Sequence, residues 1–478
     1  MNIESKNKRV NADQILAHGV VVTVDKQRRI FKNGSIAIKK DIIIGIGPYK
    51  EIEKIYYSDK IVNLQGALVH PGYVNGHFHT SYGILRGTQP DSYYQPEVAK
   101  KIFTPFYNGL TPREEYYSTL LACMEMIQNG ITAFADTGST FSNEGLKKEI
   151  EAIKLIRIRG FIGRLVSEEQ RIKEQMVSQL NMQTDACIEI IEEQLQNYPH
   201  NEKSRVWCIA GIASLLCSDK LLKKTKELSE KYKVQMFIHQ SVALPGENEI
   251  KLWKLRTGKY PIEHFNDLCI LGPNLTLVHM NEVYKQEIEL LGKTNTRIIS
   301  NIACGMKLAI GINKISRIPE MLRNNITIGL GVDTPNVSNA IDIGLQAYLA
   351  AIIFKDFRQE LPTITAETAV EMATINGAKA LGLENEIGSL EVGKKADIII
   401  HDINVPEAYP LLNPINDLIY TIISKRIDSV LIGGEFILKN KHFAMIEEKE
   451  IYKEIKRIGQ KVGARIGMPL EKRWPIIE

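Results

Sequence analysis

Residues 69–87 read VHPGYVNGHFHTSYGILRG and carry the most informative pattern of the chain. Pro71 and Gly72 open a short apolar segment, and His77 and His79 stand one residue apart at its end. Because side chains alternate between the two faces of a strand, both imidazoles point to the same side. Two neutral imidazoles on one face can begin a divalent zinc or iron site, which needs three or four ligands. We therefore expect further ligands elsewhere in the chain.

The composition bounds the class of protein. The 478 residues include 60 basic and 56 acidic side chains, for a formal net charge of +4, so bulk charge favours neither a nucleic-acid nor a membrane partner. The six cysteines show no CxxC spacing, and the start MNIESKNKRV leads into no apolar targeting segment. No run approaches the roughly 18 to 20 apolar residues that cross a bilayer. We expect a cytoplasmic protein with reduced thiols and a small-molecule substrate, and a homo-oligomer is left open.

Apolar runs rich in β-forming residues alternate with helical periodicity along the middle of the chain. Near-continuous apolar runs suit parallel strands that are covered on both faces. Alternation with helices, such as 112–129 and 317–324, predicts an α/β fold, a (β/α)8 TIM-like barrel. The eight candidate strands are the His77 segment, ITAFAD (131–136), FIGRLV (161–166), VWCIAGI (206–212), VQMFIH (234–239), LTLVH (275–279), TRIIS (296–300) and ITIGLGVD (326–333).

The two ends of the chain have a different pattern. Short alternating strands separated by Gly, Asn and Asp turns occupy about 12–68 and about 385–445. Neither stretch is long enough to form a complete sheet domain. We expect the two to combine into one small composite β-sandwich domain beside the barrel. The predicted domains are 1–68 and 385–445 for the sandwich, 69–384 for the barrel and 446–478 for a helical tail.

Three more candidate ligands follow from the barrel hypothesis, in which chemistry belongs at the carboxyl ends of the strands. His239 ends the fifth candidate strand, His279 ends the sixth and Asp333 ends the eighth. A single histidine or aspartate at a strand end is more often structural than catalytic. Their joint placement with the two histidines of the first strand indicates a metal centre.

At this point the chain resembles the amidohydrolase superfamily over nearly its whole length. Within it, the similar branch contains the S-adenosylhomocysteine/methylthioadenosine deaminases and the triazine hydrolases of the atrazine chlorohydrolase type. PGYVNGHFH resembles the family's PGxVNxHxH, ILRG its LLRG, MEMIQNGIT the helix that leads into its second strand, and GLGVD its GxGTD. AETAVEMATINGAKALGLENEIGSLEVGKKADIII is similar to its C-terminal signature. The resemblance implies the same barrel and composite sandwich.

The resemblance also implies roles for individual residues. His77, His79, His239 and Asp333 would bind one divalent metal ion, Zn2+ with Fe2+ as the alternative. A single ion is expected because the fourth candidate strand has no lysine, which binuclear relatives use as a bridge. The ion would lower the pKa of its water. Asp333 would take that water's proton, and His279 would orient the water and stabilise the adduct.

Two departures from the family pattern limit this assignment. Deaminases of the branch place a glutamate three residues after the fifth-strand histidine, where this chain has Val242, and Ser300 stands where the family often has a histidine. Three explanations stay open for the missing acid. Glu247 or Glu249 takes its place, the leaving group needs little protonation, or the substrate is a cyclic amide or another carbonyl compound.

Candidate substrate-binding residues lie in two places. Arg86 and Tyr94 belong to the first loop after a strand and can bond or stack on a flat heterocycle, whereas Gln240 and Ser241 follow His239. The sequence predicts a metal-dependent hydrolase of C–N bonds that attacks a ring carbon of a nitrogen heterocycle, with hydrolytic deamination leading. Displacement of another group (dechlorination-type) or opening of a cyclic amide is the alternative. A non-catalytic scaffold is disfavoured because all five metal-centre positions are retained.

Overall fold

The barrel strands pair in parallel, in the order in which they occur in the chain. A computed structural model describes residues 9–93, 95–140, 142–168, 182–199, 203, 205–213, 215–245, 249–421 and 424–468. Within these ranges the strands form two parallel sheets of four and five members. Strands one to three are Tyr73–Phe78, Ile131–Thr140 and Arg159–Arg164. Strand four has two halves, Val206–Cys208 and Ala210–Ile212. Strands five to eight are Met236–Gln240, Leu275–His279, Arg297–Ser300 and Ile328–Leu330.

Two junctions join these sheets into one wall. Strand four is interrupted at Ile209, so that its first half pairs with strand three and its second half with strand five. At the other junction, the backbone N–H groups of Val332 and Asp333 donate to the His77 carbonyl over 3.1 and 3.0 Å. The Asn75 side-chain oxygen also accepts from Val332 N at 3.1 Å. The (β/α)8 barrel predicted from the sequence is therefore confirmed.

Helices connect the strands and cover the barrel. The helix Pro112–Gln128 illustrates the local signals, since Thr111 and Glu114 form a reciprocal capping box and Pro112 occupies the first turn. No helix of the described residues is both long and apolar enough to cross a membrane. The other helices around the barrel are Asn143–Ile156, Thr184–Asn197, Asp219–Tyr232, Glu249–Thr257, Pro261–Asp267, Lys285–Thr294, Ile302–Lys307, Ile312–Ile315, Ile318–Arg323, Ile343–Arg358, Ala366–Ala373 and Ile375–Ala380. Shorter helical segments are Tyr49–Ile55, Thr80–Leu85, Gln95–Val98, Ala99–Phe103, Thr104–Asn108, Pro406–Ala408, Pro414–Asn416, Asp417–Thr421 and Ser424–Arg426.

Strands from both ends of the chain share one mixed sheet, which has nine members in the described ranges. Its centre is Leu68–Pro71, directly before the first barrel strand, which pairs in parallel with Gln14–Val22 and antiparallel with Ile398–His401. The composite domain beside the barrel is therefore confirmed as part of the fold. The remaining strands of this sheet are Ile30–Lys39, Ile42–Pro48, Ile61–Asn63, Ile427–Ile432, Glu435–Lys439 and His442–Phe443, and Val10–Asn11 pairs separately with Tyr56–Tyr57.

The helix Glu448–Arg465 packs against the barrel near the carboxyl ends of its strands. Its buried residues Ile458 and Val462 belong to an apolar cluster with Phe103 and Phe106, which lie between the first strand and helix Pro112–Gln128. Arg465 at the end of the helix forms an ion pair with Glu114 at 2.7 Å. Phe103 lines an apolar cavity at this end of the barrel, so the helix supports part of the cavity wall from behind.

Replacing Ile458 with alanine tests this packing. Ile458 is 2 % exposed, so the Ile458→Ala change leaves an apolar gap and should lower the free energy of unfolding by about 2–4 kcal/mol in urea titrations. Lys461→Ala, on the exposed face of the same helix, is the matched control and should change it by less than about 0.5 kcal/mol. Equal effects of the two substitutions would contradict the packing role.

Candidate active site

Five side chains converge where the barrel strands end. His77 and His79 come from strand one, His239 from strand five, His279 from strand six, and Asp333 follows strand eight. One oxygen of Asp333, Oδ1, lies 3.4 Å from His77 Nε2 and 3.7 Å from His79 Nε2. The ring of His239 lies 4.8 Å from that of His77, centre to centre. All five side chains are buried, so this end of the barrel concentrates nitrogen and carboxylate donors around one point.

Hydrogen bonds at Nδ1 direct three of the imidazoles. His79 Nδ1 lies 2.8 Å from the Gly138 carbonyl and His239 Nδ1 lies 3.3 Å from the Ile212 carbonyl. A carbonyl can only accept, so each Nδ1 carries the proton and each Nε2 presents a lone pair to the centre. His77 Nδ1 lies 2.8 Å from the Thr137 hydroxyl, and its buried Nε2 has no hydrogen-bond partner in the structure. Outer hydrogen bonds of this kind are typical of metal-binding histidines.

His279 is held in the opposite tautomer. The side-chain amide of Asn301 donates from Nδ2 to His279 Nδ1 over 3.1 Å. Because an amide NH2 can only donate, Nδ1 of His279 is the unprotonated nitrogen and Nε2 carries the hydrogen. This histidine therefore presents a hydrogen-bond donor to the centre, whereas His79 and His239 present lone pairs.

The buried surroundings set the charges of these groups. Burial lowers the pKa values of His77, His239 and His279 to about 3, so the three rings are neutral at pH 7. Burial alone would raise the pKa of Asp333, but the close contact with His77 and the other neighbouring imidazoles outweigh it and lower that pKa. The Cys304 thiol donates to Asp333 Oδ2 over 2.9 Å. The centre thus combines neutral nitrogen donors with one carboxylate.

Two of these residues have unusual backbone conformations. His279 has φ +79° and Asp333 has φ +66°, in the left-handed region that non-glycine residues seldom adopt. Such conformations cost about 1–3 kcal/mol each and persist where surrounding bonds enforce them. The N–H of Met280 donates to the Gln240 carbonyl and that of Asp333 to the His77 carbonyl, both over 3.0 Å. Neighbouring strands therefore hold both side chains toward the centre.

A layer of buried acids supports strand two behind the histidines, and sequence reasoning missed it. Asp136 accepts from the backbone N–H of Thr80, directly after His79, over 2.7 Å and from that of Gly138 over 2.9 Å. Glu149 accepts from the Thr80 hydroxyl at 3.2 Å. These bonds fix the Gly138 carbonyl that orients the His79 ring. Asp136 ends the candidate strand ITAFAD, and this position could have identified it as part of the site.

A cavity of about 170 Å3 opens above the centre. His79, His239, His279 and Asp333 form its floor. Apolar side chains dominate the described part of the walls. Those at the mouth and sides include Phe103, Leu165, Leu215, Val242, Leu308 and Val337. A small molecule in this cavity would lie directly over the metal-binding groups.

The first-loop substrate candidates are not part of the described cavity wall. Arg86 is exposed and forms an ion pair with Glu125 of helix Pro112–Gln128, which ties the loop to that helix. Glu125 also accepts from the backbone N–H of Ile341 over 3.0 Å. Tyr94 lies outside the described residues. Arg86 therefore anchors the loop.

The residues after His239 are arranged around a buried carboxylate. Glu249 accepts from the Gln240 side chain at 2.7 Å and from the backbone N–H groups of Ser241 and Val242 at 2.6 and 3.0 Å. These contacts keep Gln240 and Ser241 out of the cavity lining, while the Val242 side chain is part of it. Glu249 is thus committed to the loop, and Glu247 lies outside the described residues.

The donor set fits a divalent metal ion. Three imidazoles, two of them with the proton fixed on the outer side by a carbonyl, together with a carboxylate, match the ligands that such ions prefer. The buried Nε2 of His77, which has no hydrogen-bond partner, is explained by an ion at this point. A barrel with this centre at the carboxyl ends of its strands defines a metal-dependent hydrolase.

Comparison with known proteins assigns the family. Residues 68–437 match the Amidohydrolase family, so the chain belongs to it and is a hydrolase that acts on C–N bonds. A 5-methylthioadenosine/S-adenosylhomocysteine deaminase of Thermoanaerobacter pseudethanolicus is 30 % identical over 93 % of this chain and 98 % of its own length. The corresponding protein of Syntrophobacter fumaroxidans is 27 % identical over 94 % of this chain and 98 % of its own length. The resemblance predicted from the motifs is confirmed.

Solved structures share the fold. A zinc-bound adenosine deaminase from Xanthomonas campestris superposes with a TM-score of 0.84 and 20 % identity, over 95 % of this chain and 100 % of its own. A zinc complex of an atrazine chlorohydrolase from Arthrobacter aurescens has a TM-score of 0.81 and 19 % identity, over 93 % of this chain and 100 % of its own. The barrel with its additional domain is therefore common to these proteins.

A methyl group at Gly331 should weaken metal binding. A Cβ there would lie 2.9 Å from the Cβ of His77 and would also collide with Asn301. Gly331→Ala should therefore displace the ligand and reduce metal affinity about 10- to 100-fold, as changes next to ligands do. Competition with a chromogenic chelator measures the affinity. Gly459→Ala, at a helical position with no heavy atom within 4 Å, is the control and should bind metal as the parent does.

The buried acid layer predicts a pH-dependent stability. Burial, reinforced by Asp136, raises the pKa of Glu115 from 4.5 to about 7. The folded state then keeps a proton that the unfolded state releases, so stability falls as pH rises from 4.5 to about 7. In the metal-free protein, Glu115→Gln should gain about 3 kcal/mol relative to the parent between pH 4 and 8, by urea unfolding. The exposed Glu144→Gln is the control, and a pH-independent difference for Glu115→Gln would contradict the assignment.

Proposed function

We propose that this protein catalyses the hydrolytic deamination of a nitrogen heterocycle, with one zinc ion bound by His77, His79, His239 and Asp333. The observation that carries the proposal is the set of imidazoles around a single carboxylate, in which His79 and His239 present lone pairs and His279 presents an N–H donor. The relatives named above are deaminases of adenosine derivatives, which supports this reaction type. Three imidazoles and a carboxylate suit zinc, and iron(II) is the alternative that metal analysis distinguishes.

The chain's own groups supply the proton transfers. A divalent ion in this centre, when bound, provides the Lewis acidity that makes water a nucleophile at neutral pH. Asp333, whose lowered pKa keeps it ionised, accepts a proton from the attacking water. His279 donates a hydrogen bond from Nε2 to the oxygen as charge develops on it. The Cys304 thiol and Asn301 hold these two groups in place.

The reaction balances as a substitution at a ring carbon. A bond forms between that carbon and the oxygen of water, and the bond to the exocyclic nitrogen breaks. One proton of water passes through Asp333 to the departing amine, which leaves as ammonia. The second proton remains on the product, which takes the oxo form with a protonated ring nitrogen.

Displacement of a different leaving group is the second candidate, and Val242 favours it. An aliphatic side chain transfers no proton, and it stands where the deaminase pattern places a glutamate. Glu249 does not replace that glutamate, because it is bonded to Gln240 and to two backbone N–H groups outside the cavity. A halide or another stable anion needs less assistance than ammonia to depart. The solved structure of an atrazine chlorohydrolase shows that this fold accommodates a chlorohydrolase.

Ammonia release from a substrate panel tests the leading proposal. Zinc-loaded protein is incubated with aminopurines, adenosine derivatives, aminopyrimidines and aminotriazines, and ammonia is measured by a coupled assay. Release from any of them supports deamination. A panel without ammonia release, with chloride release from chlorinated counterparts of the same rings, would replace it with the second candidate.

Two histidine substitutions separate the ligand from the donor. His239→Ala should remove the metal and lower kcat at least 1000-fold, because a ligand is lost. His279→Asn should retain about one equivalent of metal while kcat falls about 100- to 1000-fold, because a donor to the developing charge is lost. Metal content and turnover are measured on the same samples, with the exposed His442→Ala as control. Full metal in His239→Ala, or none in His279→Asn, would overturn the division of roles.

A further inference from the structure

The described lining of the cavity above the centre has no side chain outside the centre that would pair with a charged group. Among the described lining residues there is no lysine, arginine, glutamate, asparagine or glutamine, and the single carboxylate is Asp333 of the centre. Outside the centre, the polar groups of the lining are the hydroxyls of Tyr82, Tyr107, Ser167 and Thr334. A charged substrate group would lose its hydration without gaining a partner here. The cavity therefore suits a neutral molecule.

Two tyrosine rings form the aromatic wall of the cavity. Tyr82 and Tyr107 pack edge to face, with ring centroids 5.7 Å apart. The Tyr82 ring packs on Phe103 with centroids 5.1 Å apart and lies 5.6 Å from the His79 ring. The pair thus presents mainly aromatic surface toward the space over the centre. Such a surface packs well against a flat ring.

The opposite walls are aliphatic and already formed. Leu165, Val242 and Val337 are 7, 6 and 3 % exposed, so their positions are set by packing before any ligand enters. The backbone at two of these positions is fixed as well, since Leu165 N donates to the Thr140 carbonyl and Val242 N to Glu249. Substituents on the ring would meet these methyl groups, whose burial favours alkyl over hydroxylated groups.

The volume limits the size of the ligand. About 170 Å3 is below the 300–1,000 Å3 of pockets that hold drug-sized ligands. A single or fused ring with short substituents fits this space better than a ring that also carries a ribose. A ribose would bring two hydroxyls into a lining that is mostly apolar, and each one left unsatisfied would weaken binding by about tenfold or more.

We infer that the substrate is a small, uncharged nitrogen heterocycle with one or two short aliphatic substituents, and that nucleosides are poor substrates. This inference rests on the proposed function, because it names the substrate class of the same site. The relatives named above act on ribose-containing adenosine derivatives, so the inference separates this chain from them. Val242 contributes to both properties, as an aliphatic wall residue and as the position where an acid is absent.

A homologous substrate series tests the inference. One amino-substituted ring carries hydrogen, methyl, ethyl or isopropyl on a second exocyclic nitrogen, and kcat/KM is measured with zinc-loaded protein. Each added carbon should raise kcat/KM about fourfold until the cavity is filled. A hydroxyethyl group in place of propyl should lower kcat/KM about tenfold. The nucleoside of the same ring should have a kcat/KM at least about 100-fold below that of the isopropyl compound. A nucleoside that equals or exceeds the isopropyl compound would overturn the inference and leave the proposed function intact.

Binding provides the readout that does not depend on turnover. The same rings, with the leaving group replaced by hydrogen, are titrated calorimetrically into zinc-loaded protein. Tighter binding along the alkyl series supports the inference even where no compound is turned over, in which case the proposed function alone fails. Equal affinity for the alkylated ring and the nucleoside would overturn the inference.

Two variants examine the wall directly. Val337→Thr exchanges a methyl for a hydroxyl at constant shape and should reduce kcat/KM for the isopropyl compound more than for the unsubstituted ring, with the 63 % exposed Val392→Thr as matched control. Leu215→Ala removes three carbons from the wall and should move the optimum to a longer substituent. Metal content and unfolding temperature establish that each variant is folded. An unchanged order of substrates in both folded variants would contradict the assignment of the wall.

Discussion

The backbone junction between the last and the first barrel strands determines the metal centre. The carbonyl of His77 accepts from the N–H groups of both Val332 and Asp333, which brings the carboxylate beside the strand that carries the histidine pair. Two further histidines need only the ordinary parallel register, in which Gln240 stands opposite His279. Closing the barrel therefore assembles the ligands without long flexible side chains. The left-handed conformation of Asp333 is the local cost of this closure, and the bonds to His77 sustain it.

Proton placement gives this arrangement its chemistry. Buried imidazoles at pH 7 are neutral, so their lone pairs are available without the release of protons that metal binding otherwise requires. Carbonyl groups at Gly138 and Ile212 decide which nitrogen presents the lone pair, and the amide of Asn301 reverses the choice for His279. Histidines of one site thereby differ in the nitrogen that faces its centre. The difference lies in the elements behind them, which are themselves fixed by buried hydrogen bonds such as those of Asp136.

The fold and the converging residues could be predicted because they depend on local patterns. A period of two places His77 and His79 on one face, and strand ends mark His239, His279 and Asp333. The groups that hold these residues in place could not be predicted from the sequence, because their partners are distant along the chain. Cys304 meets Asp333 and Asn301 meets His279 only after the barrel closes.

The candidate substrate residues Arg86, Gln240 and Ser241 have partners that the sequence did not indicate. Gln240 follows His239, but neighbouring side chains of a strand point in opposite directions, and Gln240 is bonded to Glu249. Ser241 has φ +52°, and its backbone N–H also donates to Glu249. Arg86 is held by Glu125 of a covering helix. In each case a carboxylate from another part of the chain holds the residue in its orientation, and the position of that carboxylate follows from tertiary packing.

The helix Glu448–Arg465 can influence substrate selectivity without contributing to the group of converging side chains. Ile458 and Val462 pack in the cluster that includes Phe103, whereas the metal-binding groups belong to the barrel strands. Substitutions in this helix can reshape the cavity mouth while the centre keeps its geometry. The range of molecules admitted to the cavity can therefore change through residues more than 100 positions away from Asp333, while the converging side chains stay in place.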